Sequence, residues 1–328
     1  RNTSAAQTYT LVRDVALEQA IKAGRPLENG IYSIASCAGT NLVLDVTGSK
    51  TTNGANVALA PSADTLNQKV ELTYLGYGLY SIQFANSGKY LHVKGGSSKS
   101  GANVIQWGHM ANSRSQKWYV VKTDEGYQIR SGISGLALDV AGGTGSAGAN
   151  VDVVTSDATQ ACQSFVLEQV QLLANGTYVF SSALAPTQLV QVKGSSKAKG
   201  ATVQIGRMRR ADSSQRWTIT YLGESRYKIV NKLSGLALTV SGANTANGAD
   251  VTQVAYVGKN WQKWVLGISD TAALTVMNAH SGKYVDLAAG KSMGGTNIQQ
   301  WARIEAKRQS FVAYAVSSDF VTTGKTGY

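Results

Sequence analysis

The sequence contains few cysteines and histidines and no long apolar run. Only two of its 328 residues are cysteines, Cys37 and Cys162, which excludes a zinc ribbon or a disulfide-dense scaffold. The three histidines, His92, His109 and His280, have no spacing typical of a metal site. Neither a Gly-x-Ser-x-Gly elbow nor a P-loop occurs, and no run approaches the roughly 20 apolar residues of a membrane helix. We therefore predict a protein that spans no membrane, needs no cofactor or metal and is not an enzyme.

Acidic residues are also scarce. The chain has 19 Asp and Glu against 31 Lys and Arg, a net charge of +12, which favours anionic partners. The densest basic segment is GRMRRADSSQRW, residues 206–217. We interpret it as a solvated loop, and the alternative is a site for a charged polysaccharide. Nucleic acid is disfavoured as a partner because no aromatic stacking residues are interleaved with these charges.

Proline is rare, with 3 residues against 35 glycines, and the glycines mark a repeat. Gln-x-aromatic triplets recur at 116–118, 163–165, 215–217, 262–264 and 309–311, and a degenerate copy, Gln68-Lys69-Val70, precedes them. Successive glutamines are 48, 47, 52, 47 and 47 residues apart. A second marker has the same phase, a glycine followed by a small residue, a polar residue and Val or Ile, at Gly54, Gly101, Gly148, Gly200, Gly248 and Gly295. Two markers with one period indicate six repeats.

Each repeat carries the signals of four short β-strands. In the first repeat, GIYSIAS (30–36) and KVELTYL (69–75) alternate apolar and polar residues. LVLDV (42–46) is a branched apolar run, and NVALA (56–60) follows an Asn-Gly turn. Residues 10–24 instead have helical spacing and end at Gly24-Arg25-Pro26. We predict an all-β chain with a short helix inside an N-terminal segment, 1–29.

Three repeats of four strands make one closed barrel of twelve strands with a hairpin cap. Six repeats therefore predict two bodies, 30–170 and 171–315, followed by a C-terminal tail, 316–328. The 52-residue gap between the third and fourth glutamines places the junction near 169–175. Because about five extra residues are too few for a flexible tether, we expect the two bodies to touch.

The Gln-x-Trp repeat with an upstream Leu-Asp-Val strand resembles the ricin B-chain-type β-trefoil lectin family in its bacterial form, from residue 30 to about 315. The resemblance implies two tandem β-trefoils, each of three repeats of about 47 residues, with the Gln-x-Trp rings in the core. It also implies a carbohydrate-binding module that recognises cell-surface or extracellular glycan. A trefoil scaffold without sugar pockets, serving protein–protein interaction, is the alternative.

The family's sugar pocket combines an aspartate at the end of the second strand with an aromatic ring some fifteen residues later. Carried onto this sequence, the acceptor positions of the six repeats are Asp45, His92, Asp139, Gln191, Thr239 and Asp286. The corresponding ring positions are Ala60, Trp107, Val154, Gly206, Val254 and Trp301. The sixth repeat has both groups, with Gln299 and Arg308 or Lys307 at the rim, and we expect it to be the best pocket.

The other repeats keep only parts of this constellation. The second keeps Gln106 and Trp107 but has His92 at the acceptor position, and the first keeps Asp45 and Asn67 without a ring. The third keeps Asp139, also without a ring. For the aspartates of the first and third repeats, a turn-forming role is the favoured alternative, because an aspartate after a strand often bonds its own backbone.

The resemblance also places the two cysteines. Cys37 ends the first strand of the first repeat, and Cys162 is expected to start the last strand of the third. Because these strands pair to close a trefoil barrel, we expect a disulfide between them in an exported protein, and two reduced thiols are the alternative. The chain begins with Arg1 and not with Met, so we expect a piece of a longer secreted bacterial protein. Its partners would be glycans, some of them anionic.

Overall fold

The computed structural model describes Glu18, Lys22 and residues 24–304 and 306–316. From residue 24 onward, these residues form 24 β-strands and short 3₁₀ turns, arranged as two sheets of twelve strands. The prediction of an all-β chain with four strands per repeat is confirmed. The helix predicted over 10–24 lies outside the described residues, apart from Glu18, Lys22 and Gly24, and so does the predicted tail beyond residue 316.

The first trefoil contains twelve strands, four from each of the first three repeats. They are β1 (Gly30–Ser36), β2 (Leu42–Val46), β3 (Val57–Pro61), β4 (Val70–Gly76), β5 (Leu79–Phe84), β6 (Tyr90–Val93), β7 (Ala102–Trp107), β8 (Lys117–Lys122), β9 (Tyr127–Ser131), β10 (Ala137–Val140), β11 (Val151–Val154) and β12 (Phe165–Gln169). The second and third strands of each repeat pair as an antiparallel hairpin. β1 closes the barrel by pairing with β12, where Ser36 lies opposite Phe165.

The second trefoil repeats this arrangement. Its strands are β13 (Gly176–Ser182), β14 (Gln188–Val192), β15 (Val203–Arg207), β16 (Trp217–Tyr221), β17 (Arg226–Asn231), β18 (Ala237–Val240), β19 (Val251–Val254), β20 (Trp264–Ile268), β21 (Leu274–Asn278), β22 (Tyr284–Leu287), β23 (Ile298–Trp301) and β24 (Phe311–Ala315). β13 pairs with β24 and closes this barrel, where Ser182 lies opposite Phe311.

Two short 3₁₀ turns punctuate every repeat. One follows the second strand, at Thr47–Ser49, Lys94–Gly96, Ala141–Gly143, Lys193–Ser195, Ser241–Ala243 and Ala288–Gly290. The other precedes the fourth strand and contains the repeat's glutamine, at Leu66–Gln68, Arg114–Gln116, Ala161–Gln163, Ser213–Gln215, Asn260–Gln262 and Lys307–Gln309. The first turn lies within the hairpin of the second and third strands, which carries the two candidate site positions of a repeat, and the second turn follows that hairpin.

The Gln-x-aromatic triplets build the two cores, as the sequence predicted. The aromatic rings are at most 1% exposed in all five copies, Trp118, Phe165, Trp217, Trp264 and Phe311. Each of the three indole Nε1 atoms donates to a strand carbonyl at 3.0 Å. The glutamine bonds the loop before it: the side chain of Gln262 donates to the carbonyl of Ala255 and accepts from the N–H of Val257, both at 2.7 Å. These residues are structural.

Three asparagines form a closed ring of amide hydrogen bonds in the first trefoil, one from each repeat. Nδ2 of Asn56 donates to Oδ1 of Asn150, Nδ2 of Asn150 to Oδ1 of Asn103, and Nδ2 of Asn103 to Oδ1 of Asn56, each at 2.9 Å. The second trefoil has Thr202, Asp250 and Asn297 at these positions. A ring of three amides therefore joins the repeats of the first trefoil and cannot form in the second.

The two trefoils are in direct contact. Oε2 of Glu71 accepts from the backbone N–H of Ile268 at 2.6 Å. Oδ1 of Asp270 accepts from Nε2 of Gln83 at 3.1 Å and from the hydroxyl of Tyr90 at 2.8 Å. The first trefoil is thus bonded to the end of β20 of the second and to the turn after it.

The predicted disulfide between Cys37 and Cys162 is wrong, because both cysteines are free thiols. Where β1 ends, the N–H of Cys37 donates to the carbonyl of Ser164 at 2.9 Å, two residues beyond Cys162. Cys162 lies in the 3₁₀ turn Ala161–Gln163 and not in β12. Its thiol bonds the carboxyl of Asp139, whereas Sγ of Cys37 lies 3.8 Å from the carbonyl oxygen of Glu125.

Candidate functional site

The second and third strands of a repeat carry the two positions of the predicted sugar pocket. In the sixth repeat Asp286 lies opposite Gln299, and Trp301 is two residues further along β23. Because side chains alternate between the faces of a strand, the acceptor and the ring emerge on one face. In the second repeat the rings of His92 and Trp107 have the same relationship, with centroids 6.0 Å apart. The structure therefore brings the predicted pairs together in both repeats.

In the sixth repeat the acceptor is engaged within the chain. Asp286 is 0% exposed, its Oδ1 accepts from Nε2 of Gln299 at 3.0 Å, and its Oδ2 lies 3.0 Å from Nε of Arg308. Burial raises the pKa of Asp286, against the opposing effects of the Gln299 hydrogen bond and the Arg308 charge. The guanidinium carbon of Arg308 also lies 5.9 Å from the ring centroid of Trp301. Arg308 thus contacts both groups that would hold a sugar, and the geometry does not favour this repeat as the best pocket.

The second repeat instead has an open cavity of about 570 Å³ beside its ring. Trp107 is 37% exposed and His92 is 5% exposed. Nδ1 of His92 lies 3.1 Å from Oγ of Ser115, and burial lowers the pKa of His92, so the imidazole is neutral at pH 7. The cavity is lined by Gly54, His92, Lys94, Gly95, Gly96, Ile105, Trp107, Met110, Ser113, Ser115 and Ile133. It offers an aromatic face, a neutral imidazole and hydroxyl groups in one place.

Gln106, which was predicted as a sugar contact, does not line this cavity. Its side chain is 0% exposed; Oε1 accepts from Oγ of Ser87 at 2.7 Å, and Nε2 donates to the carbonyl of Lys50 at 2.8 Å. Gln300 in the sixth repeat is equally buried and accepts from Oγ of Ser281 at 2.7 Å. The residue immediately before the ring therefore faces inward in both repeats, as strand alternation requires.

The aspartates of the first and third repeats are also engaged internally. Oδ2 of Asp45 accepts from Nδ2 of Asn67 at 2.7 Å and from Nε2 of Gln68 at 2.9 Å. Asp139 is bonded by Cys162 and lies opposite Asp152 on the neighbouring strand. Burial raises the pKa of both Asp45 and Asp139. These carboxyls have no ring beside them, and each bonds side chains of the 3₁₀ turn that precedes the fourth strand of its repeat.

Several residues of the second-repeat cavity were not predicted from the sequence. Lys94 and the glycines after it come from the 3₁₀ turn that follows β6, and Met110 and Ser113 come from the loop after β7. Ser115 immediately precedes the repeat's glutamine, at the position that Asn67 and Arg308 occupy in the first and sixth repeats. Alignment of the repeats could therefore have identified Ser115 but not the turn residues.

Two kinds of feature are absent from the described part of the chain. It contains no group of three or more His, Cys, Asp or Glu side chains placed to hold a metal ion. No helix within it is long and apolar enough to cross a bilayer.

A family model described as ricin-type β-trefoil lectin domain-like matches residues 5–107, 114–206 and 213–301. These three matches cover most of the sequence, so the chain belongs to this family. Lectin-type domains are carbohydrate-binding domains, which is the general class that the fold and the family define. Among curated protein sequences no match was found.

Similar folds occur among solved structures. The designed three-fold symmetric protein ThreeFoil is 27% identical over 43% of this chain and 100% of its own, with a TM-score of 0.42. A mosquitocidal holotoxin is 18% identical over 90% of this chain and 35% of its own, with a TM-score of 0.41. The Rhizoctonia solani agglutinin is 22% identical over 44% of this chain and 99% of its own, with a TM-score of 0.40.

Proposed function

We propose that this chain is a secreted or cell-surface carbohydrate-binding module that holds a sugar ring against Trp107 in the second repeat. The observation that carries the proposal is an exposed tryptophan face beside an open cavity of about 570 Å³. A pyranose has one face rich in C–H groups, which stacks on an aromatic ring, and an edge of hydroxyls that needs polar partners. His92, Ser113 and Ser115 supply those partners.

The same reasoning ranks the second repeat above the sixth. A sugar at Trp301 would have to displace Arg308 from Asp286, which would leave a buried carboxylate without its ion-pair partner. Such a loss is costly in a buried site. In the second repeat His92 is neutral and lies beside open space, so no ion pair has to break before a hydroxyl can approach.

The ligand we propose is a cell-surface or extracellular glycan, and the parent is a larger secreted bacterial protein. The family membership and the Trp107 cavity support binding, while the identity of the sugar is left to experiment. A trefoil scaffold that binds protein partners is the competing function, and the engaged carboxyls of the first, third and sixth repeats favour it.

A glycan array tests the proposal directly. Wild type is screened first, and the glycans that bind are then titrated against Trp107→Ala, Trp107→Phe and Trp301→Ala. Loss of a stacking ring costs about 1–3 kcal/mol, so Trp107→Ala should weaken binding roughly 5- to 150-fold. Trp107→Phe keeps an aromatic face and should retain most of the affinity, and Trp301→Ala should bind like wild type. Unchanged binding by Trp107→Ala would overturn the site, and an array without any bound glycan would favour the scaffold.

A further inference from the structure

The net positive charge of the protein lies almost entirely on the second trefoil. Residues 30–169 contain 9 Lys and Arg and 9 Asp and Glu, so the first trefoil is neutral. Residues 176–315 contain 17 Lys and Arg against 6 Asp and Glu, a net charge of +11. Two trefoils of one family and of similar length therefore differ by 11 charges, which a general requirement for solubility does not explain.

The fourth repeat concentrates this charge in what we call the basic strip. Residues 193–210 contain six basic residues and no acidic one. All six side chains are exposed: Lys193, Lys197, Lys199, Arg207, Arg209 and Arg210. The corresponding stretch of the second repeat, 94–111, contains only Lys94 and Lys99.

A single hairpin holds the basic strip together. β14 pairs with β15 over five residues, from Gln188 opposite Arg207 to Val192 opposite Val203. At one end the N–H of Lys193 donates to the carbonyl of Thr202 at 2.9 Å, and the turn beyond it carries Lys197 and Lys199. The three arginines begin at the other end. Five antiparallel residues span about 17 Å, so the charges line a surface long enough for several units of a polymer.

Part of the basic strip is held in a fixed position. Nη2 of Arg209 lies 2.7 Å from Oδ2 of Asp212 and donates to Oε1 of Gln191 at 3.2 Å, while its side chain stays 53% exposed. A positioned guanidinium loses less conformational entropy when it binds an anion. Gly206 stands where the second repeat has Trp107, and a Cβ there would lie 2.3 Å from the Gln191 side chain. This repeat therefore has no ring at that position and carries four more basic residues than the corresponding stretch of the second repeat.

We propose that the basic strip binds a sulfated or carboxylated polysaccharide, independently of the Trp107 cavity. Lysine and arginine form charge-assisted hydrogen bonds to sulfate and carboxylate groups, and a row of them matches a polymer with regularly spaced anions. Nucleic acid fits less well, because residues 193–210 contain no aromatic side chain on which bases could stack.

The test compares two triple variants of the full chain that lose the same charge. Lys197→Gln/Lys199→Gln/Arg207→Gln removes half of the basic strip, and Lys232→Gln/Lys259→Gln/Lys283→Gln removes three cations elsewhere on the second trefoil. Affinity for fluorescein-labelled heparin fragments is measured by anisotropy between 50 and 300 mM NaCl (roughly the range over which ionic contacts weaken steeply). We expect at least about a tenfold loss for the strip variant and less than about threefold for the control.

The salt dependence of the affinity should change in the same way. The slope of log affinity against log salt concentration should be shallower for the strip variant only, because fewer counterions are released when it binds. Equal losses in both triple variants would show general attraction by net charge and would overturn the site. Tighter binding of a single-stranded DNA of equal charge would assign the strip to nucleic acid instead. Trp107→Ala should bind heparin like wild type, which separates this result from the proposed sugar site.

Discussion

Nε of Arg308 lies 3.0 Å from Oδ2 of Asp286, so the carboxylate of the sixth repeat already has a partner within the chain. The repeat keeps the aspartate and the tryptophan of a sugar pocket. Arg308, at the position that Asn67 occupies in the first repeat, pairs with Asp286 and lies over the ring of Trp301. We therefore interpret the sixth repeat as a sugar pocket that Arg308 masks.

Arg308→Asn should unmask it. The shorter amide still reaches toward Asp286 but leaves the Trp301 face uncovered, so we expect a second sugar site. In isothermal titration with a glycan that binds wild type through Trp107, the number of binding sites per chain should rise from one to two. Lys307→Asn, next to it on the exposed side, is the matched control and should stay at one. A folded Arg308→Asn protein with one site would show that the sixth repeat is not a masked pocket.

Asp139 and Asp152 predict an unusual pH dependence of stability. They lie opposite each other, burial raises the pKa of both, and the charge of Asp139 raises the pKa of Asp152 further. A carboxyl whose pKa is higher folded than unfolded loses stability as pH rises through the folded pKa, because the folded state must release a tightly held proton. Asp139→Asn should therefore raise the urea midpoint at pH 7, and the gain should vanish as pH falls to the unfolded value of 3.8.

Asp157 provides the control of opposite sign. It is exposed, and hydrogen bonds from Thr159 and Gln160 lower its pKa, so its ionised form stabilises the folded state above pH 3.8. Asp157→Asn should thus lower the midpoint at pH 7 or leave it unchanged. Unfolding curves at pH 4 and pH 7 check both variants, and a lower midpoint for Asp139→Asn at pH 7 would contradict the expectation.

The two free thiols should differ in reactivity. Burial, together with a hydrogen bond to Asp139 and its charge, raises the pKa of Cys162 from 9.0 to about 11. Since the thiolate is the reactive form, a shift of two units should slow alkylation by about a hundredfold. Iodoacetamide at pH 8, with peptide mass spectrometry over time, should therefore label Cys162 far more slowly than a cysteine with the ordinary pKa of 9.0. Asp139→Asn should accelerate Cys162 and leave Cys37 unchanged, and recovery of a disulfide-linked peptide would contradict the structure.

The asparagine ring should contribute measurably to the stability of the first trefoil. Asn103→Ala removes a donor and an acceptor, so the amides of Asn56 and Asn150 each lose one partner. Leaving partly buried polar groups unpaired costs about 1–3 kcal/mol. Thr202→Ala, at the position of the second trefoil that corresponds to Asn56, should change the unfolding free energy by less than about 0.5 kcal/mol. Urea unfolding followed by tryptophan fluorescence compares them, and equal effects would show that the ring adds nothing.

The fold could be predicted because its signals are local and repeated. The spacing of Gln116, Gln163 and their counterparts sets the period, and strand alternation places Trp118 in the core. The same alternation explains the different directions of two glutamines. Gln106 immediately precedes Trp107 and faces inward, whereas Gln299 lies two residues before Trp301 and on the same face as Asp286.

The state of the candidate site was less predictable, because it depends on the reach of side chains across turns. Arg308 is 22 residues from Asp286, and nothing in their types shows that a flexible arginine folds back onto the carboxylate. The predicted disulfide was wrong for a related reason. A 3₁₀ turn at Ala161–Gln163 shifts Cys162 away from the residue that Cys37 meets.

The ring of Asn56, Asn103 and Asn150 also has a consequence for the order in which contacts form during folding. Its bonds join residues 47 and 94 positions apart, so the last bond forms only when the third repeat has docked. Closing such long loops lowers the entropy of the chain before the new hydrogen bonds can contribute any stability. Two repeats alone would leave an open chain of amides with a free donor at one end and a free acceptor at the other. The closed ring is thus present only in a complete barrel. The second trefoil has no such ring, so its third repeat has to be held in place by other contacts, mainly those of the apolar core.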